Sequence, residues 1–181
     1  WSDGTPGTME DCRFAIEDFL FNEDLNPVFP VWLRSAGKPD GTPVKFEPVD
    51  DWTFKLIFDQ PYGGFLIRLS IEGWRGYHDL LKPAHYLKQF HKKYTDEADL
   101  EAKIKEAGYQ PGEWWNLFND KDIIAGEMCQ KKAIGFPRLY PWILVKADDQ
   151  KSVYERNPYY FKIDSAGNQL PYSDKIESSM V

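Results

Sequence analysis

The chain is short of the residues and motifs on which most catalytic and metal chemistry depends. Only two cysteines occur, Cys12 and Cys129, and neither has metal-ligand spacing. They are too few for a disulfide scaffold, and whether they bridge or stay as two buried thiols is a matter of geometry. The three histidines, His78, His85 and His91, are seven and six residues apart, with no Glu or Cys at a ligating offset, so no metal site is expected. There is no Gly-x-Ser-x-Gly elbow, no Gly-x-Gly-x-x-Gly and no cysteine next to a base. Gly63-Gly64 follows a strand as a phosphate loop would, but lacks the Lys-Ser/Thr that completes one, and reads as a turn.

Long apolar runs are missing too. The longest, Trp142-Ile143-Leu144-Val145, falls far short of the roughly 18 residues that span a bilayer. Basic charge is the minority: 29 acidic against 22 basic residues give a net charge of -7, a field that repels nucleic acid and anionic membrane surfaces. Nucleic-acid partners are not expected. Trp1 is preceded by no basic or apolar leader, so any signal peptide is expected outside the sequence given.

Aromatic residues, in contrast, are abundant. Seven Trp, ten Tyr and twelve Phe make 16% of the 181 residues. Most rings fill a core, yet pairs such as Trp114-Trp115, Tyr159-Tyr160 and Trp74 with Tyr77 cannot all point inward. Some must lie on a surface or line a groove, where Trp and Tyr stack on sugars and peptides.

The pattern along the chain is α+β: antiparallel strands with helices. Thr8 with Asp11 reads as a capping box ahead of a helix over 9–22, carrying Cys12, Ala15, Ile16, Phe19 and Leu20 at helical spacing. Two-residue alternation from Val44 to Phe58 predicts a β-hairpin, with Phe46, Trp52, Phe54, Leu56 and Phe58 on one face and Asp50-Asp51 between the strands. Phe65 to Leu69 reads as a short helix or apolar turn, and Pro83 opens another helix. A clearer helix runs from Asp96 to Ala107, ended by Gly108, and a short one covers Glu113 to Asn119. Trp142 to Lys146 and Lys151 to Arg156 form an antiparallel pair about an Asp148-Asp149-Gln150 turn. His91-Lys92-Lys93 reads as a solvated helix end.

Two features bear on function. The carboxylate pairs Asp50-Asp51 and Asp148-Asp149 have the composition of an acid and base, but neighbours in a turn point apart, so they read as exposed turn residues and no catalytic residue is assigned. Trp74-Arg75-Gly76-Tyr77 sets an indole, a guanidinium and a phenol around a glycine, a set that stacks on rings and grips carboxylates. An Arg covering its own Trp at a surface has the same sequence.

Several blocks in order carry a resemblance. Trp1-Ser2-Asp3-Gly4-Thr5-Pro6 with Thr8 and Asp11, Val49-Asp50-Asp51-Trp52-Thr53 with Pro61-Tyr62, Leu81-Lys82-Pro83-Ala84-His85-Tyr86, and Arg156-Asn157-Pro158-Tyr159-Tyr160 span nearly the whole chain. Together they resemble the extracellular solute-binding proteins of family 5, receptors of ATP-driven peptide, nickel and oligosaccharide importers. Gly7, Met9, Cys12 and Ser173 depart from the family pattern at packing positions.

The resemblance implies a fragment of the first lobe of a two-lobe, type II periplasmic-binding-protein architecture. Residues 1–137 would be an inserted subdomain of that lobe, and residues 138–181 the strands returning to its main part. It implies a non-enzymatic receptor without cofactor, periplasmic or extracellular and lipid-anchored through a segment before Trp1, which passes a peptide or oligosaccharide to the permease subunits of an ABC transporter. Trp74, Arg75 and Tyr77 would contact ligand, with Trp32 as a further candidate. A carbohydrate-active or carbohydrate-binding domain using the aromatics as a sugar platform is the alternative.

Overall fold

Thr8 starts the first helix by the mechanism its spacing predicts. Its hydroxyl accepts the Glu10 N–H, and its own N–H donates to Asp11 Oδ2 at 3.0 Å. The other Asp11 oxygen accepts the Ala84 N–H at 3.0 Å, so one buried carboxylate ties two distant helix starts together. Helix α1 (Met9–Arg13) continues not as α but as a π-helix over Phe14–Leu20, closed by Phe21 N–H donating to Ile16 O. Phe14, Ala15, Ile16, Asp18 and Leu20 are all buried, so this stretch is covered on more than one stripe.

The computed structural model describes the backbone of residues 1–179 and the side chains of residues 1–71 and 80–179, in two compact units: residues 7–119, and residues 1–6 with 120–181. In the first unit β1 (Lys45–Asp50) pairs antiparallel with β2 (Thr53–Ile57), and the Phe46 and Phe54 rings meet across them at 5.5 Å. Trp52 does not share their face. The strands stop at Asp50 and resume at Thr53, which leaves Trp52 in the turn and 75% exposed. Ile16, Leu20, Leu33 and Val44 form a core against which Trp32, Phe58, Phe65 and Leu80 pack.

Helix α2 (Phe65–Leu80) is longer than the short segment expected. It is followed by α3 (Ala84–Leu87), by α4 (Glu97–Glu106) with Asp96 capping its start and Gly108 at φ +84° beyond its end, and by α5 (Trp114–Lys121). His91 corrects the sequence reading: it is 2% exposed, not solvated. Phe14, Tyr94, Trp114 and Phe118 surround its ring, with centroids 4.8 to 6.0 Å apart within this cluster for the Phe14–Tyr94 and His91 pairs. Nδ1 accepts the Lys93 N–H at 3.1 Å while Nε2 lies 3.1 Å from Asp18 O, so the imidazole is neutral and donates from Nε2. The ring is buried because helices distant in sequence converge on it.

In the second unit β3 (Trp142–Ala147), β4 (Lys151–Arg156) and β5 (Lys175–Ser179) form an antiparallel sheet in chain order, with Leu144 and Val153 buried. Asp148 Oδ1 accepts the Gln150 and Lys151 N–H groups, the turn role expected of it. The chain's opening and closing motifs meet here. Gly4, at φ +87°, lies so near Tyr159 that an added Cβ would stand 3.0 Å from the phenol oxygen, and only glycine fits such a site. Ser2 exchanges bonds with Arg138, its Oγ accepting the Arg138 N–H at 3.0 Å. Asn157 is fully buried between Tyr140 O, to which its amide donates, and the Tyr159 N–H, which it accepts. Tyr159 and Phe161 themselves are 59% and 68% exposed. Both cysteines are free thiols, and burial with the neighbouring Asp11 charge raises Cys12 to about 11.

Candidate functional site

Trp32 sits in a 3-10 turn (Val31–Leu33), half-buried, with its ring stacked on Phe65 at 6.3 Å and 14°. Phe65 is held in turn by Phe58 at 5.0 Å and Tyr62 at 5.5 Å, so the indole rests on a fixed aromatic stack. Beside it opens a groove of about 330 Å³, lined by Pro30, Val31, Trp32, Gly37, Tyr62 and Arg68.

The groove depends on unusual backbone. Ala36 and Gly37 both have positive φ, 56° and 64°, and the alanine bears the strain of a conformation that L-residues disfavour. Gly37 is required for a second reason: a Cβ there would stand 2.5 Å from Tyr62 Oη. With that space left open, the Tyr62 hydroxyl is buried in the groove wall without a hydrogen-bond partner among the described residues. Arg68, exposed on the first turns of α2, is the charged residue in the lining.

Trp32 is therefore the sequence candidate that the structure ties to a concavity. The side chains of Trp74, Arg75 and Tyr77 lie outside the described residues. Tyr62, Gly37 and Arg68 were not picked out from sequence: Pro61-Tyr62-Gly63-Gly64 reads as punctuation after a strand, and nothing there announces the left-handed turn that shapes the wall.

Another concavity is less suited to recognition. It is wider, about 590 Å³, lies in the second unit and is lined by Ser2, Ile143, Val145, Glu155, Arg156 and Asp174 among others, but Arg156 is paired with Asp174 at 3.4 Å. Asp50 accepts the Trp52 N–H at 2.8 Å and is a turn residue like Asp148; local N–H bonds hold both carboxyls below the usual range. Among the described residues no group of three or more His, Cys, Asp or Glu could hold a metal ion.

Comparison with known proteins agrees with these motifs. The family model described as bacterial extracellular solute-binding proteins, family 5 Middle, matches residues 1–181. A periplasmic alpha-galactoside-binding protein of Rhizobium meliloti (strain 1021) is 30% identical over 187 aligned residues, covering 97% of this chain and 21% of that protein. Among solved structures, an oligopeptide-binding protein OppA superposes with a TM-score of 0.78 at 37% identity, over all of this chain and 26% of that one. The periplasmic binding protein MelB of Agrobacterium fabrum C58, in complex with stachyose, shares the fold at a TM-score of 0.63 and 22% identity, with 23% of its chain covered. This chain thus spans about a quarter of the length of the proteins it matches, and is a fragment of their type II binding-protein architecture. The chain belongs to the family 5 bacterial extracellular solute-binding proteins.

Proposed function

We propose that this chain is part of a receptor, outside the cytoplasmic membrane, that captures an oligopeptide and delivers it to the permease of an ABC importer. The observation that carries this is the 37% identity and TM-score of 0.78 to an oligopeptide-binding protein over the whole of this chain. No bond is made or broken in this role: the receptor holds its solute and releases it. Trp32 with its groove, together with Trp74, Arg75 and Tyr77, supplies ligand contacts. Residues 1–137 are read as the inserted subdomain of the first lobe and residues 138–181 as strands returning to its main part. The rest of the ligand's surroundings lies in sequence that the relatives have and this chain does not cover, so capture needs the whole protein.

An oligosaccharide is the second reading, favoured by the 30% identity to a protein named for alpha-galactosides and by the wealth of aromatic rings. Calorimetry of the full-length protein against peptide and oligosaccharide panels decides between them. Trp74→Ala, Arg75→Ala and Trp32→Ala are each expected to weaken the ligand found by about tenfold or more. Unchanged affinity in all of these variants would refute the proposed contacts.

A further inference from the structure

We propose that the groove beside Trp32 is a subsite for a carboxylate on the captured solute, with Arg68 as its counter-ion and the Trp32 indole as an apolar wall for the neighbouring group. The proposal rests on the solute-capture reading and adds to it a chemical class of ligand and a residue that recognises it.

Among the described residues, the other arginines are engaged. Arg13 is bound to Glu10 and Glu17, Arg34 donates to Phe29 O and Gly41 O, Arg138 donates to Ala133 O, and Arg156 pairs with Asp174. Arg68, among the described residues, has no side-chain hydrogen bond or ion pair, and no carboxylate lines the groove with it. In a chain with seven more acidic than basic residues, a guanidinium left unpaired beside a concavity stands apart. An exposed Arg gains little by waiting in solvent, whereas a carboxylate brought to it takes both arms of its planar fork.

The walls support the same occupant. Trp32 and its Phe65 backing present a flat apolar surface, suited to the residue or ring that carries the carboxylate. The Tyr62 hydroxyl, buried in the wall against Gly37 without a partner among the described residues, is a second donor on the groove. Burying such a group unpaired is unfavourable, and a bound acceptor removes that cost. The strained Ala36 conformation, next to the Gly37 that leaves room for the Tyr62 ring, is the kind of backbone that persists where a site needs it. A neutral sugar would use the indole but leave the guanidinium unmatched.

A carboxylate can come from a peptide C-terminus or from an acidic sugar, and the test separates them. Four probes are offered to the full-length protein in native mass spectrometry: a mixture of short peptides with free C-termini, the same mixture C-terminally amidated, stachyose, and trigalacturonate. The expected result is retention of free-acid peptides, or of trigalacturonate, on the order of tenfold to hundredfold above their neutral counterparts. Arg68→Gln then abolishes that preference without weakening the neutral probe, and Arg68→Lys, which keeps the charge but not the fork, retains part of it. Equal retention of acid and amide, retention of stachyose alone, or an Arg68→Gln protein with unaltered preference overturns the carboxylate subsite while leaving solute capture standing. Retention of none of the four probes refutes solute capture itself, and the subsite with it.

Discussion

Replacing His91 with Phe tests whether this ring holds the 7–119 unit together as a neutral, doubly bonded imidazole. The substitution keeps an aromatic ring in the cluster of Phe14, Tyr94, Trp114 and Phe118, and takes away both nitrogens. Lys93 N–H loses its acceptor and Asp18 O its ring donor, each at 3.1 Å. One orphaned buried group costs about 1–3 kcal/mol; the Lys93 amide is only partly buried and water recovers some of its bond, so the sum is about 2 kcal/mol. Burial lowers the His91 pKa below its ordinary 6.5, against the Asp18 carbonyl and carboxylate, which favour the charged ring. Above about 6.5 the ring is neutral in both states and its contribution is complete; as pH falls from there through the lower folded value, the unfolded chain takes a proton the folded chain refuses, and stability is lost. Amide hydrogen exchange of peptides from α1 and α5 reads this locally within the full-length protein. Protection at pH 7.5 should fall about thirtyfold in His91→Phe, the equivalent of 2 kcal/mol, and the wild type should lose protection between pH 7.5 and 5 more steeply than the variant. Equal protection at pH 7.5, or parallel pH profiles, would refute the reasoning.

Asp11→Ala should destabilise the same unit by about 3 kcal/mol, since it strips the acceptor from both the Thr8 and Ala84 N–H groups; the urea midpoint of unfolding checks this. Gly4→Ala forces a side chain into a left-handed position 3.0 Å from the Tyr159 oxygen and should cost about 2 kcal/mol, seen as a lower melting temperature, with Ser2 and Arg138 as the neighbours whose exchange quickens. Hydrogen bonding and charge from Arg13, aided by Lys88, hold Glu10 at about 2. Its contribution is therefore present above the ordinary 4.5 and fades as pH falls toward 2; because the side chain is 41% exposed, solvent limits it to under about 1 kcal/mol, and Glu10→Gln should flatten the acid limb of a stability profile by no more than that.

The elements with local punctuation were legible. Thr8 with Asp11, Asp96, Gly108 and the Asp148 turn each solve a backbone problem within a few residues, and each stands where spacing alone suggested. Burial that comes from afar was not legible. His91 is enclosed by rings from residues 14 and 114–118, and its sequence neighbours Lys92 and Lys93 suggest the opposite. Strand β5, Lys-Ile-Glu-Ser-Ser, is exposed throughout and exists because β4 offers it an edge, so it has no alternating signature to read. The π-helical repeat after Arg13 likewise adds one residue to a turn without changing composition. Of the candidate site, Trp32 was visible as an aromatic near a turn, but its groove was not: that rests on Gly37 leaving room for Tyr62, a contact between loops that no spacing encodes.

Equilibrium dialysis of the full-length protein against mixed short peptides and galactosides, with recovered ligand weighed by mass spectrometry, shows whether the proposed receptor captures its solute without altering it. A peptide should be concentrated on the protein side and returned with its mass unchanged. Cleavage of any retained ligand, or no enrichment of any solute, would contradict capture without chemistry.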